Sequence, residues 1–161
     1  MTARVIVRVA EIAIGKQAGI LTALGLGSCV AALLWDPTAS IGGMAHILLP
    51  APPPRERQNA PGRYAQTAIP LLLQQMQQAG ANRSAITGRL VGGAAMFANL
   101  LAPGLIHTGE RNVLATREAL HTAGIPLRAE WVGGDFGRSV ELDLATGKVT
   151  AASMRHGARE L

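Results

Sequence analysis

The sequence predicts an α/β (α+β) protein: a mixed β-sandwich with flanking helices, folded as a single domain over residues 1–161. Three observations carry that expectation. Strand-like and hairpin-like segments are interleaved with only two helical patterns, an order that suits packed mixed sheets better than a doubly wound sheet. Nearly half of the 161 residues (48%) are hydrophobic, enough to build a sizeable core without staples. No repeat and no interdomain linker divides the chain.

The elements follow in order. Arg4 to Ala10 alternates, with Val5, Val7 and Val9 on one face, and reads as a strand. Gly19 to Leu26 is a second apolar segment. Val30 to Trp35 and Ile41 to Leu49 flank a run of turn formers, Asp36 to Ser40, and read as a hairpin of two buried strands; the first arm also fits a short helix. Pro50 to Gly62 contains five prolines and several charges, which predicts a long surface loop of the flap or binding kind. Tyr64 to Gln78 reads as a helix stopped by Gly80, with Pro70 expected to kink it or delay its start. Ala85 to Val91 is a strand ending at Gly92-Gly93, and Glu110 to Ala123 is a helix stopped by Gly124-Ile125-Pro126. Leu127 to Val132 and Ser139 to Leu144 are strands. Ala145 to Lys148 is a turn, and the chain from Val149 pairs back as a last strand.

Composition excludes several functions. The single cysteine, Cys29, cannot form an intramolecular disulfide or a cysteine-rich metal site, and it points to the reducing cytosol. Arg4, Arg8 and Glu11 interrupt the first residues, which do not read as a signal peptide. The uncharged stretch between Lys16 and Asp36 approaches membrane-span length, but Gly25 to Ser28 breaks it and two buried strands explain it better. We therefore expect a cytoplasmic protein that is not itself a membrane protein. The formal charge is +5, with arginines scattered from Arg4 to Arg159 and only five aromatic residues. Nucleic acid is thus not the expected partner, since neither a basic block nor a stacking platform is supplied. An acidic protein surface fits the same charge.

The segment that carries chemistry is Gly25-Leu26-Gly27-Ser28-Cys29, followed by Gly42-Gly43-Met44-Ala45-His46. Cysteine hydrolysis needs a thiolate, a base to make it and donors for the oxyanion. Glycines before Cys29 let the backbone approach a substrate, and a hairpin or a short crossover can bring His46 beside it. An imidazole there is expected to lower the thiol pKa and later to protonate the leaving group. Taken alone, Cys29 also reads as an inert core thiol and His46 as a satisfied core histidine. The Gly-x-Gly is followed by no phosphate-binding pattern, and the four histidines match no common zinc spacing with Cys29.

These residues resemble the CheD family of chemoreceptor glutamine deamidases. The resemblance lies in Leu26-Gly27-Ser28-Cys29-Val30 and Gly43-Met44-Ala45-His46. It continues through Pro61-Gly62-x-Tyr64-Ala65, Gly92-Gly93-Ala94 with Met96-Phe97, and Gly109-x-Arg111-Asn112-Val113. It closes with Gly133-Gly134, Gly137-Arg138 and the strand and turn from Glu141 to Lys148, in one order across nearly the whole chain. The resemblance implies Cys29 as nucleophile, His46 as general base, no cofactor and no metal, and a sandwich similar to toxin-type cysteine deamidases. It implies the glutamines of methyl-accepting chemoreceptor cytoplasmic domains as substrates, with glutamate methyl esters as secondary ones. The phosphatase CheC, which pairs with family members in some organisms, is a further partner it allows. A non-catalytic receptor- or CheC-binding adaptor of the same fold is the competing reading, and a basic nucleic-acid-binding domain the second.

Ser28 and Thr22 are the candidates for oxyanion and orientation roles. The family usually carries a threonine six residues before the nucleophile, and here that position is Ala23. Thr22 is adjacent, but strand geometry turns neighbouring side chains to opposite faces unless a bulge intervenes. The expectation is that the orienting group is missing or supplied elsewhere, for example by a backbone carbonyl. Gly92, Gly93, Gly133 and Gly134 are read as backbone geometry, Asn112 as a cap or loop contact, and Arg138 as holding an acidic surface or a carboxylate.

Overall fold

A computed structural model describes residues 2–56, 59–97, 100 and 104–161. Two five-stranded sheets lie face to face, and both helices cover the outer face of one of them. The first sheet contains β1 (Arg4–Ile6), β3 (Ile20–Leu26), β8 (Arg138–Asp143), β9 (Val149–Ser153) and β10 (Gly157–Glu160), in that spatial order. The second runs β2 (Ile12–Lys16), β5 (Ile41–Ile47), β4 (Val30–Asp36), β6 (Thr87–Gly92) and β7 (Leu127–Val132). Most pairs are antiparallel; β1 with β3 and β6 with β7 are parallel. The mixed sandwich with flanking helices is therefore what the chain forms.

The hairpin of β4 and β5 is the middle of the structure. All seven residues of each strand are buried, which explains their unbroken apolar runs. Val30, Ala32 and Leu34 face α1 (Ala65–Gln78) and α2 (Thr108–Thr122). Ala31, Leu33 and Trp35 face Leu21, Ala23, Val140 and Leu142 of the other sheet. The turn end is anchored by the buried Asp36 carboxylate. One oxygen accepts from the N–H groups of Thr38 (2.8 Å) and Ala39 (3.2 Å), and the other from Asn82 N–H at 2.7 Å. Burial, the largest single influence, raises the Asp36 pKa, but these bonds outweigh it and hold the carboxyl below the usual range.

Several expectations change. The strand from Arg4 stops at Ile6, and only Val7 of the three valines is buried. The reason is that Val7 crosses between the sheets: its N–H donates to Thr22 O on β3 (2.8 Å) while its carbonyl serves His46 on β5. Pro70 neither delays α1, which begins at Ala65, nor enters the core, since it sits on the exposed side. The short strands β2 and β10 were not expected; β2 pairs with β5 and β10 closes the edge beside β9. The proline-rich segment is a surface loop in its described part, with Arg57 and Gln58 outside the described residues. Its base is tied down where Leu48 and Leu49 N–H both donate to Arg63 O.

Candidate active site

The site lies at the open end of the hairpin. The ladder of β4 and β5 ends at Val30 opposite Ile47, with Ala31 opposite His46. Cys29 is the next residue out and packs against the cluster between the sheets, the face that Ala31 shares. Directly paired residues of an antiparallel ladder lie on one face, so Cys29 and His46 face the same space and are diagonal neighbours, a spacing of about 7–8 Å that an imidazole can bridge. Cys29 is partly buried; His46 is 4% exposed.

The imidazole is held from behind. His46 Nδ1 lies 2.9 Å from Val7 O. A carbonyl can only accept, so Nδ1 carries the proton and Nε2 of the neutral ring keeps its lone pair. The backbone of His46 is fixed as well: its N–H donates to Glu11 O (3.1 Å) and its carbonyl accepts from Ala10 N–H (2.8 Å). Burial is the main influence on the ring and lowers its pKa below the usual imidazole value, against smaller opposing effects from the Val7 bond and the Glu11 charge. Burial also pushes the Cys29 thiol up. The resting pair is neutral, contrary to the expectation that the imidazole would lower the thiol: burial is what sets the thiol's direction.

The loop before β4 is pinned by its carbonyls. Gly27 O accepts from Ala94 N–H and Cys29 O from Gly93 N–H, each at 2.8 Å. Ser28 O accepts from Asn112 Nδ2 at 2.9 Å, and the same nitrogen donates to Leu48 O at 2.9 Å. Among the described residues, no acceptor takes the N–H of Ser28 or Cys29. Gly92 makes the contact with Cys29 possible: at φ 113° it brings its backbone against the Cys29 carbonyl, where a Cβ would collide.

Cys29 and His46 thus share one face at the open end of the hairpin, with the Ser28 backbone next to Cys29; the Thr22 hydroxyl is not on that face. Leu21 and Ala23 face the space between the sheets, so Thr22 faces outward, and its Oγ1 accepts from Arg4 Nη1 at 3.1 Å beside Glu141. A bulge does occur in β3, but after Ala23: Ala23 pairs with Val140 and Leu26 with Arg138, with Gly25 at φ 62°. Leu26 is turned inward by it and Thr22 is not. Among the described residues, Arg138 holds no carboxylate. It is buried, donates to the carbonyls of Trp131 (2.7 Å), Gly133 and Phe136, and stacks on the Trp131 and Phe136 rings. One contributor escaped the sequence reading: Val7 acts through its carbonyl, which leaves no side-chain signature. Asn112 makes the loop contact expected of it, to the carbonyls of Ser28 and Leu48. Among the described residues, no group of three or more His, Cys, Asp or Glu could hold a metal ion, and no helix is long and apolar enough to cross a membrane.

Comparison with known proteins adds the following. The family model described as CheD chemotactic sensory transduction matches residues 48–153. A probable chemoreceptor glutamine deamidase CheD from Caldanaerobacter subterraneus is 38% identical over 153 residues, covering 95% of this chain and 94% of its own length. The chemoreceptor glutamine deamidase CheD of Thermotoga maritima is 38% identical, covering 94% of this chain and 93% of its own. A solved Neisseria meningitidis structure of the DUF152 family superposes with a TM-score of 0.51 at 10% identity over 84% of this chain. This chain spans 65% of that protein, and the likeness is one of fold alone.

Proposed function

The chain belongs to the CheD family, and on that premise we propose that it deamidates glutamine side chains of chemoreceptors to glutamate, with Cys29 as nucleophile and His46 as general base. The observation that supports this reading most is the Val7 carbonyl on His46 Nδ1, which leaves Nε2 as a proton acceptor on the face that Cys29 shares. The resemblance leaves the threonine position empty, as Ala23, and a backbone carbonyl does the orienting instead.

The steps follow from the resting state. A neutral thiol beside a neutral imidazole gives up its proton to Nε2 as Sγ attacks the carboxamide carbon. The N–H groups of Ser28 and Cys29, without acceptors of their own, stabilise the negative oxygen. The imidazolium then protonates the amine, ammonia leaves, and a thioester to Cys29 remains. Water that loses its proton to Nε2 hydrolyses the thioester, giving glutamate and the free thiol. No step calls for a cofactor. Each conversion adds one negative charge to a receptor helix, and repulsion between such charges on packed helices shifts its signalling equilibrium. The substrate is the helical cytoplasmic part of a methyl-accepting chemoreceptor, and the net charge of +5 favours its acidic surface.

The test is amide-to-acid conversion in a receptor cytoplasmic fragment, followed by mass spectrometry with the parent protein and with Cys29→Ala. Conversion by the parent alone supports the reading. Undiminished conversion by the folded variant removes Cys29 from it.

A further inference from the structure

We propose that Asn112 is a positioning residue for the oxyanion site, aiming and polarising the Cys29 N–H through the peptide that joins Ser28 to Cys29. The inference rests on the reading of Cys29 as nucleophile and deepens it. A trans peptide is planar, so its carbonyl and the following N–H point in opposite directions; the structure contains no cis peptide among the described residues. Whatever holds the Ser28 carbonyl therefore fixes the direction of the Cys29 N–H. That holder is Asn112 Nδ2 at 2.9 Å. A hydrogen bond accepted by the carbonyl also strengthens the N–H of the same peptide as a donor.

Three features separate this from ordinary helix packing. Asn112 is fully buried, and both hydrogens of its amide go to carbonyls, one of Ser28 and one of Leu48. Those two residues flank the point where the ladder of β4 and β5 has ended, so one side chain bridges the nucleophile's arm and the histidine's arm. Its Oδ1, in contrast, is buried without a partner among the described residues. A buried amide that satisfies two carbonyls and leaves its own oxygen unserved is arranged around what its nitrogen does. The neighbouring carbonyls, Gly27 O and Cys29 O, are held by backbone N–H groups, which no side-chain change short of proline removes; the middle one depends on a side chain.

His46 has anchors of its own, at Val7, Glu11 and Ala10. Loss of the Asn112 bridge should therefore leave the thiol–imidazole pair working while misaiming the oxyanion donor. Two reactions of Cys29 separate these effects: alkylation by iodoacetamide needs the thiolate alone, and deamidation needs the oxyanion donor too. The experiment compares the parent with Asn112→Asp, which keeps the shape but cannot donate when ionised, and with Asn112→Ser, a smaller change that keeps one donor. Thr116→Ala serves as a packing control, since the Thr116 hydroxyl donates to the Asn112 backbone carbonyl at 2.7 Å and, among the described residues, makes no hydrogen bond to Ser28 or Leu48.

The expected result for Asn112→Asp is a kcat on the receptor fragment about 10- to 100-fold lower, the fall produced by a misplaced oxyanion donor. KM and the alkylation rate should stay within about twofold. Asn112→Ser should fall between it and the parent, and Thr116→Ala should lose thermal stability while keeping the parent's kcat. A folded Asn112 variant with the parent's kcat overturns the proposal, as does alkylation that falls in step with kcat, which would make the bridge merely structural. Conversion that persists in Cys29→Ala overturns the nucleophile itself, a separate failure read from a separate variant.

Discussion

The two ends of the β4–β5 hairpin are built from the same strands to opposite ends. At the turn, the buried Asp36 carboxylate accepts from three N–H groups, of Thr38, Ala39 and Asn82, and its charge is fully answered. At the open end, the N–H groups of Ser28 and Cys29 have no acceptor among the described residues, Asn112 Oδ1 is buried without a donor, and His46 Nε2 keeps a free lone pair. Unmet hydrogen-bonding capacity costs stability when it is buried. It persists here only where the surrounding structure fixes each group, and the fixing is done by carbonyls: Val7 O behind His46, and the carbonyls of residues 27–29 pinned from outside. The comparison teaches that the turn end is a stability device and the open end a chemical one, and substitutions should separate along that line.

The largest effect is expected from His46→Ala at the open end. Loss of a positioned general base costs about 10²- to 10⁴-fold in rate, read as kcat of deamidation per folded molecule, while the cavity left by the buried ring and the Val7 carbonyl stripped of its donor cost about 1–3 kcal/mol in urea titration. A variant that retains most of its kcat would place the base elsewhere.

Asp36→Asn should do the reverse. The asparagine oxygen can serve Thr38 and Ala39, but its amide nitrogen then faces the Asn82 N–H, donor against donor. The expected loss is about 2 kcal/mol of folding stability in urea titration, with kcat per folded molecule unchanged. A fall in kcat would mean that the two ends are coupled along the hairpin.

Ala23→Thr tests whether the position left vacant in this chain matters. Ala23 is fully buried between the sheets, and Nδ1 of His46 is already taken by Val7. We expect no gain in kcat and a cost of about 1–3 kcal/mol from overpacking. A faster enzyme would show that the Val7 carbonyl is the weaker orienting group.

The smallest effect is in the pH dependence of stability, and it divides the two ends by pH. The His46 pKa is lowered in the fold, so the unfolded chain takes up a proton first; its contribution is complete above the ordinary imidazole value and is lost as pH falls from there through the lower folded value. The Asp36 pKa is also lowered, so its contribution is complete above the ordinary carboxylate value and is lost only as pH falls through the still lower folded one. Melting temperatures should therefore decline in two stages on acidification. His46→Ala should remove the first stage and Asp36→Asn the second. Raised thiol pKa adds a loss on the alkaline side, as pH climbs from the ordinary thiol value through the folded one.

Much of this was legible in advance where side chains carry the signal. The apolar runs around Asp36 to Ser40 gave the central hairpin to within a residue or two, because both faces of β4 and β5 are covered. Cys29 and His46 stood out through their glycine-rich settings and the family resemblance. β10 was hidden because all four of its residues are exposed and show no alternation, and β2 because it is a short, half-buried edge. The valines at 5, 7 and 9 misled because alternation reports burial, whereas Val7 is where the chain leaves one sheet for the other. The group that orients His46 is a main-chain oxygen, and no residue type announces it.

The most direct test of the account is an acid quench of a single turnover, with the parent protein in excess over the receptor fragment. The intermediate to look for is a thioester between Cys29 and a receptor glutamine that has lost ammonia, found by mass spectrometry of the peptide that contains Cys29. The account predicts that adduct, followed by glutamate carrying one oxygen from the solvent, and neither in Cys29→Ala. Glutamate formed with solvent oxygen while Cys29→Ala works as well as the parent would contradict it.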